Sequence, residues 1–309
     1  MEKKCNEKQI FNPKSKRCVN KNGIIGKKIL IQNEKIHLFW DKNSCYIDSL
    51  LVALFHNKNK LFLNSPLIVY KDDKLNNLVY TIKNELIKLY DIIYNKIKND
   101  NCNLLRKLIN DFYKRLIKYN PKIKIIDKRE NWINSQLDIF DLFDLFEYIF
   151  NIPNNLKFKE GNNINYSNFI FNIPIDLVNN KNKVFIKKIF PIYKIKNNKL
   201  IITTTLLKTD NLFIKIFRNL QTFKLNTKII PSEIIKLPEN SFDLHLTSII
   251  IHYGNYQNGH YICLYKSNDI WFEFDDLQKS PTHIGSLNKI IKNNDYISNI
   301  VGLLYSKII

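Results

Sequence analysis

No run of apolar residues in this chain is long enough to cross a bilayer, and its opening MEKKCNEK has none of the character of a secretory leader. The expectation is a soluble intracellular protein with no membrane partner. No CxxC pair exists to grip zinc, and the five cysteines are spaced too irregularly to argue for a disulfide framework. Arginine is also scarce, being confined to Arg17, Arg106, Arg115, Arg129 and Arg218, although the formal charge is +20. A surface shaped for nucleic acid usually relies on arginine for bidentate phosphate contacts. A nucleic-acid partner is therefore the weaker explanation of the charge. The stronger one is an AT-rich genome that loads its proteins with Lys, Asn and Ile.

What is present suffices for a folded protein. At 45% hydrophobic content, 309 residues can bury one large core or two modest ones. Residues 1–30 are polar, basic and turn-rich, with no periodicity strong enough for a core. Between Asp72 and Asn120, apolar residues recur at threes and fours with lysine opposite, which predicts two amphipathic helices ended by Pro121. Ser135–Phe150 continues the helical period. Ser135 and Asp138 fit a capping box, Phe140, Leu142, Phe143 and Phe146 form an apolar face, and Asp138, Asp141 and Asp144 fall within two turns. From Asn154 onward the period becomes that of strands. A helical half (36–153) followed by a sheet half (154–309) predicts an α+β fold.

Chemistry concentrates in two stretches. In Asp243–Asp276, His260 follows Gly259 at the mouth of a strand, and a return strand ends at Asp275 and Asp276. Ser267-Asn268 suits a tight turn. With Lys266 opposite Asp269, that turn sets Asp275 across from His260 and points Asp276 to the other face. A histidine held by an aspartate is two-thirds of a triad. Upstream, Asn43-Ser44 precede Cys45, and the helical pattern Ile47, Leu50, Leu51, Leu54 follows it. A cysteine at a helix N-terminus lies where unpaired N–H groups and the dipole favour thiolate. Cys45, His260 and Asp275 thus make a plausible cysteine-hydrolase triad. His37 and His56, with no carboxylate nearby in sequence, read as structural or solvated.

The segments CYIDSLL and HYGNYQNGHYICLY…WFEFDD resemble the Cys box and His box of ubiquitin-specific proteases, a class of cysteine deubiquitinases. QLDIFDLF is similar to the family's Gln-x-Asp-x-x-Glu helix, and LFIKIFRN…KIIPSEIIKL to its central strand pair. The four fall in the family's order, and the resemblance covers roughly Ile36 to Ile309. It implies a papain-like fold with a helical thumb and a β-sheet palm. The fingers would be reduced and free of zinc, since their metal ligands are missing. It implies ubiquitin or a ubiquitin-like modifier, with its conjugates, as partner, and neither cofactor nor metal.

The family's site residues carry over by position. Cys45 would be the nucleophile, His260 the proton carrier and Asp275 its orienting acid. Asp138 and Asp141 match the acidic residues that meet the arginine-bearing tail of ubiquitin, with Asp replacing the usual Glu at 141. Gly259 and Tyr261 would line the same cleft, while His252 matches a family histidine that is not catalytic. The family usually has an oxyanion-binding Asn five residues before the nucleophile, where this chain has Trp40. Asn43 is the nearest amide that could act with the Cys45 N–H. Trp40 and Asp48 are similar to a divergent group that cleaves SUMO. A SUMO isopeptidase and an inactive ubiquitin-fold binding module are accordingly the alternatives. Residues 1–35 (Cys5…Asn12-Pro13…Arg17-Cys18-Val19…Gly26-Lys27) resemble the two-cysteine adaptor of large DNA viruses, which is thought to mediate protein contacts. With the AT-rich composition, this suggests a viral source and a host-cytoplasmic or virion location.

Overall fold

The computed structural model of the chain describes residues 5–307 apart from 37, 58–59, 96–100, 127–129, 169, 174–181, 187–191, 197–198, 221–222 and 256–257. His37 and Arg129 lie outside the described residues. Six of its described helices precede most of its strands, and two short ones (Leu287–Lys292 and Asn294–Asn299) come just before the last strand. After a hairpin of Gln9–Asn12 and Arg17–Asn20 come α1 (Ile24–Asn33), α2 (Cys45–Phe55), α3 (Leu61–Asn64), α4 (Asp73–Asn95), α5 (Asn103–Tyr119) and α6 (Ile139–Phe146). The two amphipathic helices expected between Asp72 and Asn120 are α4 and α5. Every residue of α2 is buried, which makes it the axis of the helical half. An antiparallel eight-stranded sheet, closed at one edge by a parallel strand, packs on it. Its central strands are Leu244–Gly254, Gly259–Ser267 and Ile300–Lys307. The Ser248 hydroxyl donates to the Ala53 carbonyl at 2.8 Å and ties the sheet to α2. A separate four-stranded sheet joins Leu156–Glu160, Asn163–Ser167, Ile192–Lys196 and Lys199–Lys208. Among the described residues, no helix is long and apolar enough to cross a membrane.

Four local expectations need correction. The hairpin pairs Ser267 with Ile270, not Lys266 with Asp269. Its two turn residues are Asn268 and Asp269, at φ 49° and 62°, the left-handed pair that a two-residue turn of primed type requires. The slip is by an even number of residues, so faces are preserved. Second, α6 begins at Ile139, with Asp138 as its cap accepting from the Phe140 N–H at 2.8 Å. Ser135 instead accepts from the Asn131 N–H in the preceding turn. Third, the expected central strand pair does not pair with itself. Asn211–Ile216 lies between Ile300–Lys307 and Ile170–Ile173, whereas Lys228–Ile230 runs parallel to Lys183–Phe185. Fourth, Cys5 and Cys18 are bridged, with Cα atoms 5.7 Å apart. The Gln9–Asn12 hairpin returns Cys18 toward Cys5, a proximity invisible in the spacing. The 1–35 segment ends against the sheet, where the Glu34 carboxylate accepts from the Tyr265 and Ser267 hydroxyls.

Candidate active site

Two loops meet at one end of α2. The loop before Cys45 passes through left-handed Lys42 and Asn43, at φ 48° and 64°, a region where only glycine and short polar residues are common. Ser44 then closes the turn, its Oγ accepting from the Asp41 N–H and its carbonyl from Ile47 and Asp48. Cys45 opens the helix, as the polar residues before it predict. The second loop follows Phe274, where the return strand ends. Trp40 N–H donates to the Asp276 carbonyl at 3.1 Å and joins the two loops.

Arg106 underpins the loop before Cys45. It is fully buried on α5, and its guanidinium donates to four backbone carbonyls, those of Asp41 (2.5 Å), Lys42, Trp132 (3.0 Å) and Ile133. Tyr46 Oη donates to the same Trp132 carbonyl. The sequence hint was a cation inside the apolar stripe Leu105, Ile109, Leu116. Arg106→Met keeps the bulk but strands these carbonyls, so it is expected to cost about 3 kcal/mol or more. Denaturant unfolding measures that loss. Stability equal to wild type would contradict the role.

His260 Nε2 donates to Asp275 Oδ1 at 2.8 Å, and the Cys45 thiol lies near enough to act on the charge of the same ring. Burial opposes protonation of this imidazole, but the bond to Asp275 and the influence of nearby Cys45 outweigh it and push its pKa up to about 10. Burial likewise acts to raise Asp275, yet the His260 bond and the Leu277 N–H at 3.0 Å hold it below the ordinary carboxylate range. Cys45, His260 and Asp275 therefore lie together at this end of α2. Asp276 does not turn away as expected. Its buried Oδ1 lies 3.7 Å from His260 Nε2, because strand alternation stops at Phe274 and both aspartates belong to the turn.

Around this centre, the Asn43 side-chain amide donates to the Asn134 carbonyl at 2.8 Å. Gly259 N–H donates to Gln136 Oε1, and a Cβ at Gly259 would lie 2.1 Å from His252 Nε2. Sequence reading gave His252 no task, but its ring packs 4.4 Å from that of Tyr261 and excludes any side chain at 259. Burial, then Lys224 and His260, press His252 down to about 4, so it is a neutral wall. Asp138, Phe140, Lys215, His252 and Tyr261 line one pocket. Asp141 sits on the next turn of α6, where burial, then Asp138 and Asp144, push its carboxyl up to about 7. His56 is structural, bonded through Nδ1 to the Val52 carbonyl and packed on Tyr265.

His260, Asp275 and Asp276 also form a set of potential metal donors within 4.8 Å of one another. Two of the three are already engaged as a histidine–acid pair beside a thiol, so we do not assign a metal centre. The arrangement can deliver a cysteine nucleophile to a carbonyl and carry its proton to a leaving group. No curated protein matches the sequence. The family model described as ubiquitin carboxyl-terminal hydrolase matches residues 41–298, which takes in both loops, α6 and the return strand. A thiol, an imidazole and a carboxylate in this order, inside a match over most of its length, mean that the chain belongs to the ubiquitin carboxyl-terminal hydrolase family.

Proposed function

We propose that the protein is a thiol-dependent deubiquitinase of the ubiquitin-specific type, hydrolysing the isopeptide or peptide bond after the C-terminal glycine of ubiquitin. The observation that carries this reading is the 2.8 Å bond from His260 to Asp275, with Cys45 near the same ring at the head of α2. Cys45 gives its proton to His260 and attacks the glycine carbonyl. His260 then protonates the departing lysine amine, and later takes a proton from the water that breaks the thioester. Asp275 fixes the ring's orientation. The oxyanion would be met by the Cys45 N–H at the first turn of α2 and by Asn43, whose bond to Asn134 holds its amide in place. The eight-stranded sheet serves as the palm, the helices as the thumb and the four-stranded sheet as fingers. No cysteine lies between Cys102 and Cys263, so those fingers lack the thiols of a zinc site. The adaptor-like segment with its Cys5–Cys18 bridge would recruit a protein partner, and its likeness to viral adaptors favours a viral source. Release of a fluorophore from the C-terminus of ubiquitin tests the reading. Tight binding without release would select the inactive binding module instead.

In this reading Asp138, Asp141, Gly259 and Tyr261 line the channel for the modifier's tail, with the α6 carboxylates facing its basic residues. Asp141, raised to about 7, loses its charge as pH falls through neutrality. The Michaelis constant is therefore expected to rise about three- to tenfold between pH 8 and pH 6. Asp141→Asn should start from the higher value and change little over that range. Identical pH profiles for the two proteins would remove Asp141 from the channel.

A further inference from the structure

Beneath the triad lies a second acid that the mechanism above does not use. Asp48 is on α2 one turn after Cys45, is wholly buried, and faces Asp276. No donor in hydrogen-bond geometry reaches any of the four oxygens of these two carboxyls. The other groups facing Asp48 are the Cys102 thiol and Ser44 hydroxyl, with Arg106 acting at longer range. Asp276 meets His260 and Asp275 on its other side. Arg106 makes no hydrogen bond to the pair, since its N–H groups are spent on the four loop carbonyls and on Asn103 Oδ1. Two bare carboxylates side by side in this setting would repel strongly, whereas one shared proton converts the repulsion into a bond.

We propose that Asp48 is a positioning residue for the hydrolytic reaction: it shares a single proton with Asp276 and thereby holds the Asp276 carboxyl under His260. The dyad carries one negative charge, 3.7 Å from the ring nitrogen that Asp275 also binds. It supplements Asp275 in steadying the imidazole through proton transfer. Burial first, and Asp48 second, push Asp276 up to about 8, and burial pushes Asp48 in the same direction. Both directions agree with a retained proton. When that proton is lost at alkaline pH, the two carboxylates part and Asp276 leaves its place.

The inference rests on the deubiquitinase reading, so its test uses two readouts. One is turnover of a fluorogenic ubiquitin substrate against pH. The other is the rate of Cys45 alkylation by iodoacetamide against pH, which needs no modifier. Wild type should lose turnover with an apparent pKa near 8 and show a matching step in alkylation. Asp48→Ala should lower kcat about tenfold or more with little change in KM. Asp48→Asn donates an N–H that cannot ionise, so it should regain most of that loss and remove both alkaline features. Should Asp48→Ala fail to fold, the comparison of Asp48→Asn with wild type still decides. If the two profiles coincide above pH 7, or if Asn rescues nothing, the dyad is wrong. Absence of turnover in wild type, with the alkylation step present and sensitive to Asp48→Asn, would refute the substrate assignment and leave the dyad standing.

Discussion

Cys45→Ala is expected to lower hydrolysis of a ubiquitin substrate by about four orders of magnitude or more while leaving the fold and modifier binding intact. The size follows from the proposed role, because an enzyme without its nucleophile keeps only the residual effect of binding and oxyanion stabilisation. The intact fold follows from the place. Cys45 is 5% exposed at the head of α2, and alanine removes one sulfur next to the cleft. No other thiol can stand in. Cys102 and Cys263 are fully buried, and burial pushes both far above the ordinary thiol range, the former helped further by Asp48. Cys5 and Cys18 are bridged to each other. Steady-state kinetics with ubiquitin binding measured in parallel checks this. Activity above a few per cent would move the nucleophile elsewhere.

Asp275→Ala should have the second-largest effect, lowering kcat about a hundredfold or more with KM nearly unchanged. His260 would lose the acceptor at 2.8 Å that fixes its tautomer and ring plane. Asp276, 3.7 Å from the same nitrogen, is too far for a good hydrogen bond but near enough to keep the loss below that of Cys45→Ala. Asp275→Asn should recover part of the loss by orienting the ring without a charge. The alanine variants at 275 and 276, measured side by side, decide which aspartate leads. Greater damage from Asp276→Ala would reverse their roles.

Much of this site was legible because its signals are local. Polar residues before Cys45, an apolar helical period after it and an aromatic hairpin carrying His260 are all written in consecutive residues. The long amphipathic helices and the later strands were readable by the same periods. What escaped reading depended on tertiary contact or on one residue of turn geometry. The hairpin register turned on whether Ser267-Asn268 or Asn268-Asp269 takes the left-handed pair. Asp276 was set on the wrong face because alternation ends where the strand does. Arg106, Asp48 and His252 meet neighbours distant in sequence, and apart from the cation that Arg106 sets inside an apolar stripe nothing around them announces a task. The Cys5–Cys18 bridge was hidden for the same reason.

The most direct test of the central claim is covalent capture of the folded protein by ubiquitin bearing a C-terminal propargyl group, with SUMO bearing the same group run beside it. A one-to-one ubiquitin adduct on Cys45, formed faster than any SUMO adduct and absent from Cys45→Ala, is the predicted result. No ubiquitin adduct, an adduct with SUMO alone, or a ubiquitin adduct on a different cysteine would contradict it.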